Sequence, residues 1–180
     1  MKMNRAVLTA AVIVVLAAAG WYMFRRGNAE RVDLLAQFDS AQKDGAGPYS
    51  VVDVTLAGDT KRAILAPPNG RLHFKVRVPD DGWLKVSLGL KPDAWDKEGN
   101  GVYFFAGVSD GRTFERLFEQ TLNPFANPSE RRWIPVTVDL SAYAGLEMEI
   151  MLNTRSSAGG QPPDDRNDLP LWGAPEIVRR

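Results

Sequence analysis

Cysteine is absent from the 180 residues, and histidine occurs once, at His73. The first absence excludes disulfide frameworks, zinc–thiolate centres and thiol nucleophiles. The second removes most histidine metal sites and most Ser-His-Asp arrangements before they start. A surplus of charge is lacking too: 22 Lys and Arg balance 22 Asp and Glu, so no overall field points to nucleic acid as a partner. No internal repeat is visible.

What is present divides the chain in two. Residues 6–24, AVLTAAVIVVLAAAGWYMF, carry no charge, and as a helix they would reach about 28 Å, close to a bilayer's hydrocarbon thickness. Trp21 and Tyr22, followed by Arg25 and Arg26, suit the water interface of a retained transmembrane helix. A cleavable signal peptide is the rival reading, because Lys2 and Arg5 form a basic start and Ala17 to Gly20 are small. The expected order is a short cytoplasmic tail over 1–5, the span over 6–24, a juxtamembrane helix and linker over 25–48, and a folded domain over 49–180. Residues 28–43 read as that helix, with Asn28 as cap and Val32, Leu35 and Phe38 along one face.

From Tyr49 onward the apolar period is two. Val52, Val54 and Leu56 alternate with Asp53 and Thr55; Leu72, Phe74, Val76 and Val78 alternate with His73, Lys75 and Arg77. The same holds for Leu84 to Leu90, Val136 to Leu140 and Leu146 to Leu152, while 102–108 is a continuous apolar run and 171–178 a last strand broken by Gly173 and Pro175. Short strands with one apolar face must meet a second sheet, so the expected fold is all-β, an antiparallel β-sandwich. Residues 156–170 form a long polar loop.

Three patterns carry candidate chemistry. Gly107, Ser109 and Gly111 match G-x-S-x-G, but no βαβ context surrounds them and the histidine precedes the serine, so a hairpin turn is the simpler reading. Asp96, Glu98, Asn100 and Gly101 resemble half of a calcium loop. The EF-hand reading fails because Gly107 stands where the closing glutamate belongs, which leaves a looser calcium site, assisted by Asp164, Asp165 or Asp168, as the one cofactor candidate. Trp95, Trp83 and Tyr103 are the aromatic candidates for stacking on sugar rings, whereas Trp133 and Trp172 read as core. Arg131 and Arg132 read as surface charge.

The segment from Arg131-Arg132-Trp133-Ile134-Pro135 through Asp139-Leu140-Ser141-Ala142-Tyr143, with the closing Trp172-Gly173-Ala174-Pro175, resembles the galactose-binding-like jelly rolls of bacterial extracytoplasmic proteins. The resemblance implies a jelly-roll sandwich similar to carbohydrate-binding modules, with structural rather than ligand-binding shared residues. It also favours the bacterial inner membrane with the C-terminal domain in the periplasm or outside the cell. Two functions follow as expectations, neither enzymatic. One is a single-pass accessory subunit whose sandwich docks on other membrane protein subunits, as in photosynthetic reaction-centre, light-harvesting or respiratory assemblies. The other is a membrane-tethered module that binds cell-envelope glycans.

Overall fold

The computed structural model describes residues 31–156 and 162–180. The expected span over 6–24, with Trp21, Tyr22, Arg25 and Arg26, lies outside them; no described helix is long and apolar enough to cross a membrane. The described chain contains β1 (Arg31–Asp33), β2 (Gln42–Gly45), β3 (Ser50–Leu56), β4 (Asp59–Leu65), β5 (Gly70–Arg77) and β6 (Gly82–Leu90). These are followed by β7 (Val102–Ser109), β8 (Phe114–Leu122), β9 (Ile134–Asp139), β10 (Glu147–Arg155) and β11 (Pro170–Arg179). Single 3₁₀ turns at Pro92–Ala94, Pro128–Glu130 and Ser141–Tyr143 are the only helical elements among the described residues.

The strands form two sheets. One runs β3-β4-β11-β6-β9, with β1 added to β11; the other runs β2-β5-β10-β7-β8. The alternation seen in the sequence decides which side chains lie between them: Leu72, Phe74 and Val76, then Val102, Phe104 and Ala106, meet Leu84, Val86, Leu88, Val136, Trp172 and Ile177 in one buried core. The Phe104 and Trp172 rings, 5.1 Å apart and edge to face, join the layers at the centre. An antiparallel sandwich is therefore what the pattern required, and it is what forms.

A second, smaller cluster lies on the outer side of the six-stranded sheet, where Val54, Leu56, Ala63 and Leu171 pack with Trp133. The Trp133 ring lies against Gly89 and Gly173, where a Cβ would collide with Leu56 and with the ring respectively, and its Nε1 donates to the Asp59 carbonyl at 3.0 Å. Both tryptophans read as core are buried, Trp172 between the sheets and Trp133 in this outer cluster.

The helix expected over 28–43 does not form in its described part. Residues 31–33 join the sheet, 34–40 are hydrogen-bonded turns, and 42–45 are strand. The physical reason is local and tertiary at once. The Asp33 carboxylate accepts from the Leu35 and Ala36 amides, starting a tight turn, and the Leu34 amide donates to the Pro175 carbonyl at 3.1 Å. Pro175 lies at a bulge of β11, where the register shifts and Ala174 takes a positive φ. The apolar residues that imitate a helical stripe, Val32, Leu35 and Phe38, pack on the sandwich core beside the fully buried Leu34. The sandwich thus includes chain before Tyr49. Strand β8 is the other element without a counterpart in the sequence reading.

Candidate functional site

The inward residues of the five-stranded sheet are committed to the core, so its outward residues carry any chemistry it has. Strand register sets them in rows. One row crosses all five strands as Asp44, Arg71, Asn153, Phe105 and Glu119. Beside it run Gln42, His73, Met151, Gly107 and Arg116 on one side, and Arg155, Tyr103 and Thr121 on the other. Arg71 Nε donates to Asn153 Oδ1 at 2.7 Å, which fixes both side chains across β5 and β10. His73 stands between two carboxylates, with Asp44 at Nε2 (3.0 Å) and Glu149 at Nδ1 (3.3 Å).

Phe105 points away from the core yet is only 3% exposed. The guanidinium groups of Arg116 and Arg155 lie over its ring, at 5.0 and 5.1 Å from the centroid. Arg116 also donates to the Tyr103 hydroxyl at 3.0 Å and pairs with Glu119 at 2.6 Å, and Tyr103 donates to Glu119 in turn. The Tyr103 hydroxyl and the Arg116 cation hold the Glu119 carboxyl below the usual range, while desolvation and then the Glu119 bond push the tyrosine up. Next to them Phe114 lies across Gly107, whose missing Cβ leaves room for the ring. Phe114 is 38% exposed and meets Phe105 edge-on at 6.4 Å, so it is the open aromatic of this face.

A hollow of about 230 Å³ opens beside the row, lined by Asp44, Asn69, Arg71, Asn153, Thr154 and Arg155 together with Gly45 and Gly70. Its wall is rigid. The Thr154 hydroxyl donates to the Pro67 carbonyl at 2.8 Å and accepts the Gly70 amide at 3.1 Å, and Tyr49 donates to the Asp44 carbonyl at 2.7 Å. Burial pushes the Tyr49 hydroxyl up to about 12, so it stays a donor throughout the physiological range.

The three aromatic candidates are not brought together. Tyr103 belongs to this face. Trp83 lies on the outer side of the other sheet, where the Arg180 guanidinium covers its ring at 4.8 Å beside a groove of about 450 Å³ shared with Lys85, Thr137 and Val178. Trp95 is half-buried: its Nε1 donates to the Leu90 carbonyl at 2.9 Å and its ring packs on the cluster around Trp133. Trp95→Ala should therefore lower stability by about 2 kcal/mol, the partial-burial share of a tryptophan truncation. Urea titration checks this; an unchanged midpoint would return Trp95 to the list of free sugar platforms.

Of the calcium candidates, Asp96 pairs with Arg131 at 3.0 Å. Asn100 Nδ2 donates to the Pro162 carbonyl at 3.0 Å while its Oδ1 is buried without a partner, and the Glu98 backbone carbonyl accepts Asn167 Nδ2 at 3.2 Å. Among the described residues no three His, Asp or Glu side chains are grouped to hold a metal ion. Arg131 further bonds the Pro124 and Trp95 carbonyls, so it ties loops together. Ser109 is the hairpin residue its context suggests: its hydroxyl accepts the Gly111 amide at 3.1 Å, and Asp110 accepts those of Arg112 and Thr113.

No family model matches the sequence. Solved structures do share its shape. A CBM51 from Clostridium perfringens GH95, in complex with methyl-galactose, superposes with a TM-score of 0.59 at 15% identity, over 82% of this chain and 99% of that one. The fold is the galactose-binding-like jelly roll. This jelly roll also aligns with TmCBM61, in complex with β-1,4-galactotriose, at a TM-score of 0.52 and 14% identity over 79% of this chain and 90% of that one. The M60 catalytic domain with two CBM51 domains from Clostridium perfringens ZmpB gives 0.55 at 17% identity, over 77% of this chain but 14% of that one. Identities this low establish the shared fold and nothing finer. An uncharacterized protein of Archaeoglobus fulgidus is 38% identical over 104 residues, 57% of this chain. The chain spans about a quarter of that relative's length, the match covering 25% of it.

Proposed function

We propose that the sandwich is a non-catalytic carbohydrate-binding module, held at a membrane by residues 6–24, that presents the outer face of its five-stranded sheet to envelope glycans. The observation that carries this reading is the row Asp44, Arg71, Asn153 and Phe105 beside a small polar hollow, with Phe114 exposed next to it. Sugars are recognised by planar hydrogen-bonding groups at the hydroxyls and an apolar face against the ring, and this face offers both. The likeness to modules solved with methyl-galactose and β-1,4-galactotriose supports the same reading.

The accessory-subunit reading has less behind it. A docking interface of ordinary size draws on a contiguous patch with apolar anchors. The exposed large hydrophobics among the described residues are Phe114, Phe125 and Leu146, which stand singly in three separate segments.

A glycan array probed with the full chain tests the proposal. Phe114→Ala should weaken the array signal about tenfold, the loss expected for one aromatic anchor, with little change in melting temperature. Trp83→Ala, on the opposite face, should leave the signal intact. A blank array would end the carbohydrate reading, and a signal lost only with Trp83 would move the site.

A further inference from the structure

We infer that the hollow beside Phe105 takes an acidic sugar, its carboxylate gripped between the guanidinium groups of Arg71 and Arg155. This deepens the carbohydrate reading and rests on it. The argument is one of unspent charge. Two arginines and one carboxylate, Asp44, line the hollow. Asp44 already accepts bonds from His73 Nε2 at 3.0 Å and from Gln42 Nε2 at 3.2 Å. Arg71 uses its Nε on the neutral Asn153 amide, and Arg155 rests on the Phe105 ring; neither forms an ion pair with a described residue.

The Arg155 guanidinium rests 5.1 Å from the Phe105 ring centroid, and an arginine fork placed by an aromatic face loses less entropy when a planar carboxylate meets it in two parallel bonds. The cross-strand pair Gly45 and Gly70 also lines the hollow. Its volume of about 230 Å³ falls below the roughly 300–1,000 Å³ of ordinary small-molecule sites, which suits one sugar ring with the rest of a chain running out over the face. With two cations and one carboxylate on its wall, the hollow keeps one positive charge in excess when a neutral sugar fills it. A hexuronic acid supplies the counter-charge.

The test compares two trisaccharides that differ only at C6, α-1,4-trigalacturonate and neutral α-1,4-galactotriose, by calorimetry on the full chain in non-ionic detergent. The acidic probe should bind roughly 10- to 100-fold more tightly, as expected for charge-assisted hydrogen bonds. Arg155→Gln should remove most of that preference while leaving the melting temperature near wild type, since Arg155 is exposed at the end of its strand. Equal affinity for the two probes would overturn the acidic-sugar inference and leave the carbohydrate reading standing. A preference that survives Arg155→Gln would place its origin elsewhere and overturn the inference as well. Binding of neither probe would do the same, and a blank glycan array in addition would remove the carbohydrate reading beneath it.

Discussion

Trp172→Ala should cost about 3–5 kcal/mol, enough to leave a domain of ordinary stability marginal at room temperature. Trp172 is fully buried, and its ring makes the edge-to-face contact with Phe104 that joins the two sheets. Truncation opens a cavity at the centre of the sandwich, where strands paired on both sides cannot move inward to fill it. Trp172→Phe should cost far less. The indole Nε1 is buried without a hydrogen-bond partner, so a phenyl ring that keeps most of the contact also removes an unsatisfied donor worth roughly 1–3 kcal/mol. Urea denaturation of the three proteins measures both differences. A phenylalanine variant as damaged as the alanine one would mean that the indole nitrogen is satisfied in solution.

Stability should fall between about pH 4 and pH 7 through one residue, Asp168. Its side chain is buried, one carboxylate oxygen has no hydrogen-bond partner, and burial, followed by the charges of Asp164 and Asp165, pushes its pKa up to about 7. In the unfolded chain the same group titrates near 3.8. Between these values the folded state binds more proton than the unfolded state, so the stability that the neutral carboxyl contributes is complete below about pH 4 and is lost as pH rises through 7. The ceiling is on the order of 4 kcal/mol.

Asp168→Asn should remove that slope and make the protein more stable than wild type at pH 8. The carboxylates Asp110, Asp139 and Asp164, held low by hydrogen bonds to the Thr113 amide, the Ser141 amide and the Arg166 side chain, bias stability the opposite way. The difference between variant and wild type, taken from melts across this range, is therefore the quantity to read. Parallel slopes would show that Asp168 is solvated or bonded in solution.

Legibility in the sequence followed burial. Strands β3 to β7 and β9 to β11 show as alternating or continuous apolar segments because each must bury at least one face. Three strands have no strand signal in the sequence: β1, three residues long beside β11, and β2 and β8, the two edges of the five-stranded sheet. Edge strands face water along one side and are commonly charged or short, which suppresses the period-two signal. Asp44, Phe114, Arg116 and Glu119 all stand on those edges. Of the candidates the sequence offers, Trp95 and Asp96 lie in a loop and Trp83 on the other sheet, and Tyr103 alone stands on the face where register brings Arg71, Asn153 and Phe105 into line. Residues 28–43 failed for another reason: over so few residues, an apolar spacing of three suits a chain turning against a sandwich edge as well as it suits a helix.

Composition and period alone determined that the described chain is an all-β sandwich in which Trp133 and Trp172 are buried, and that thiol chemistry is closed to it. Both conclusions depend on single strands or single residue types, which a sequence records directly. Tertiary structure decided which side chains share a face, that Tyr103 and Trp83 stand on opposite outer surfaces, and that two arginines converge on one phenylalanine. Those outcomes depend on the pairing of strands far apart in the chain, as when residues 44, 71, 153, 105 and 119 meet in one row, and strand register is a property of the folded sheet that no local segment encodes.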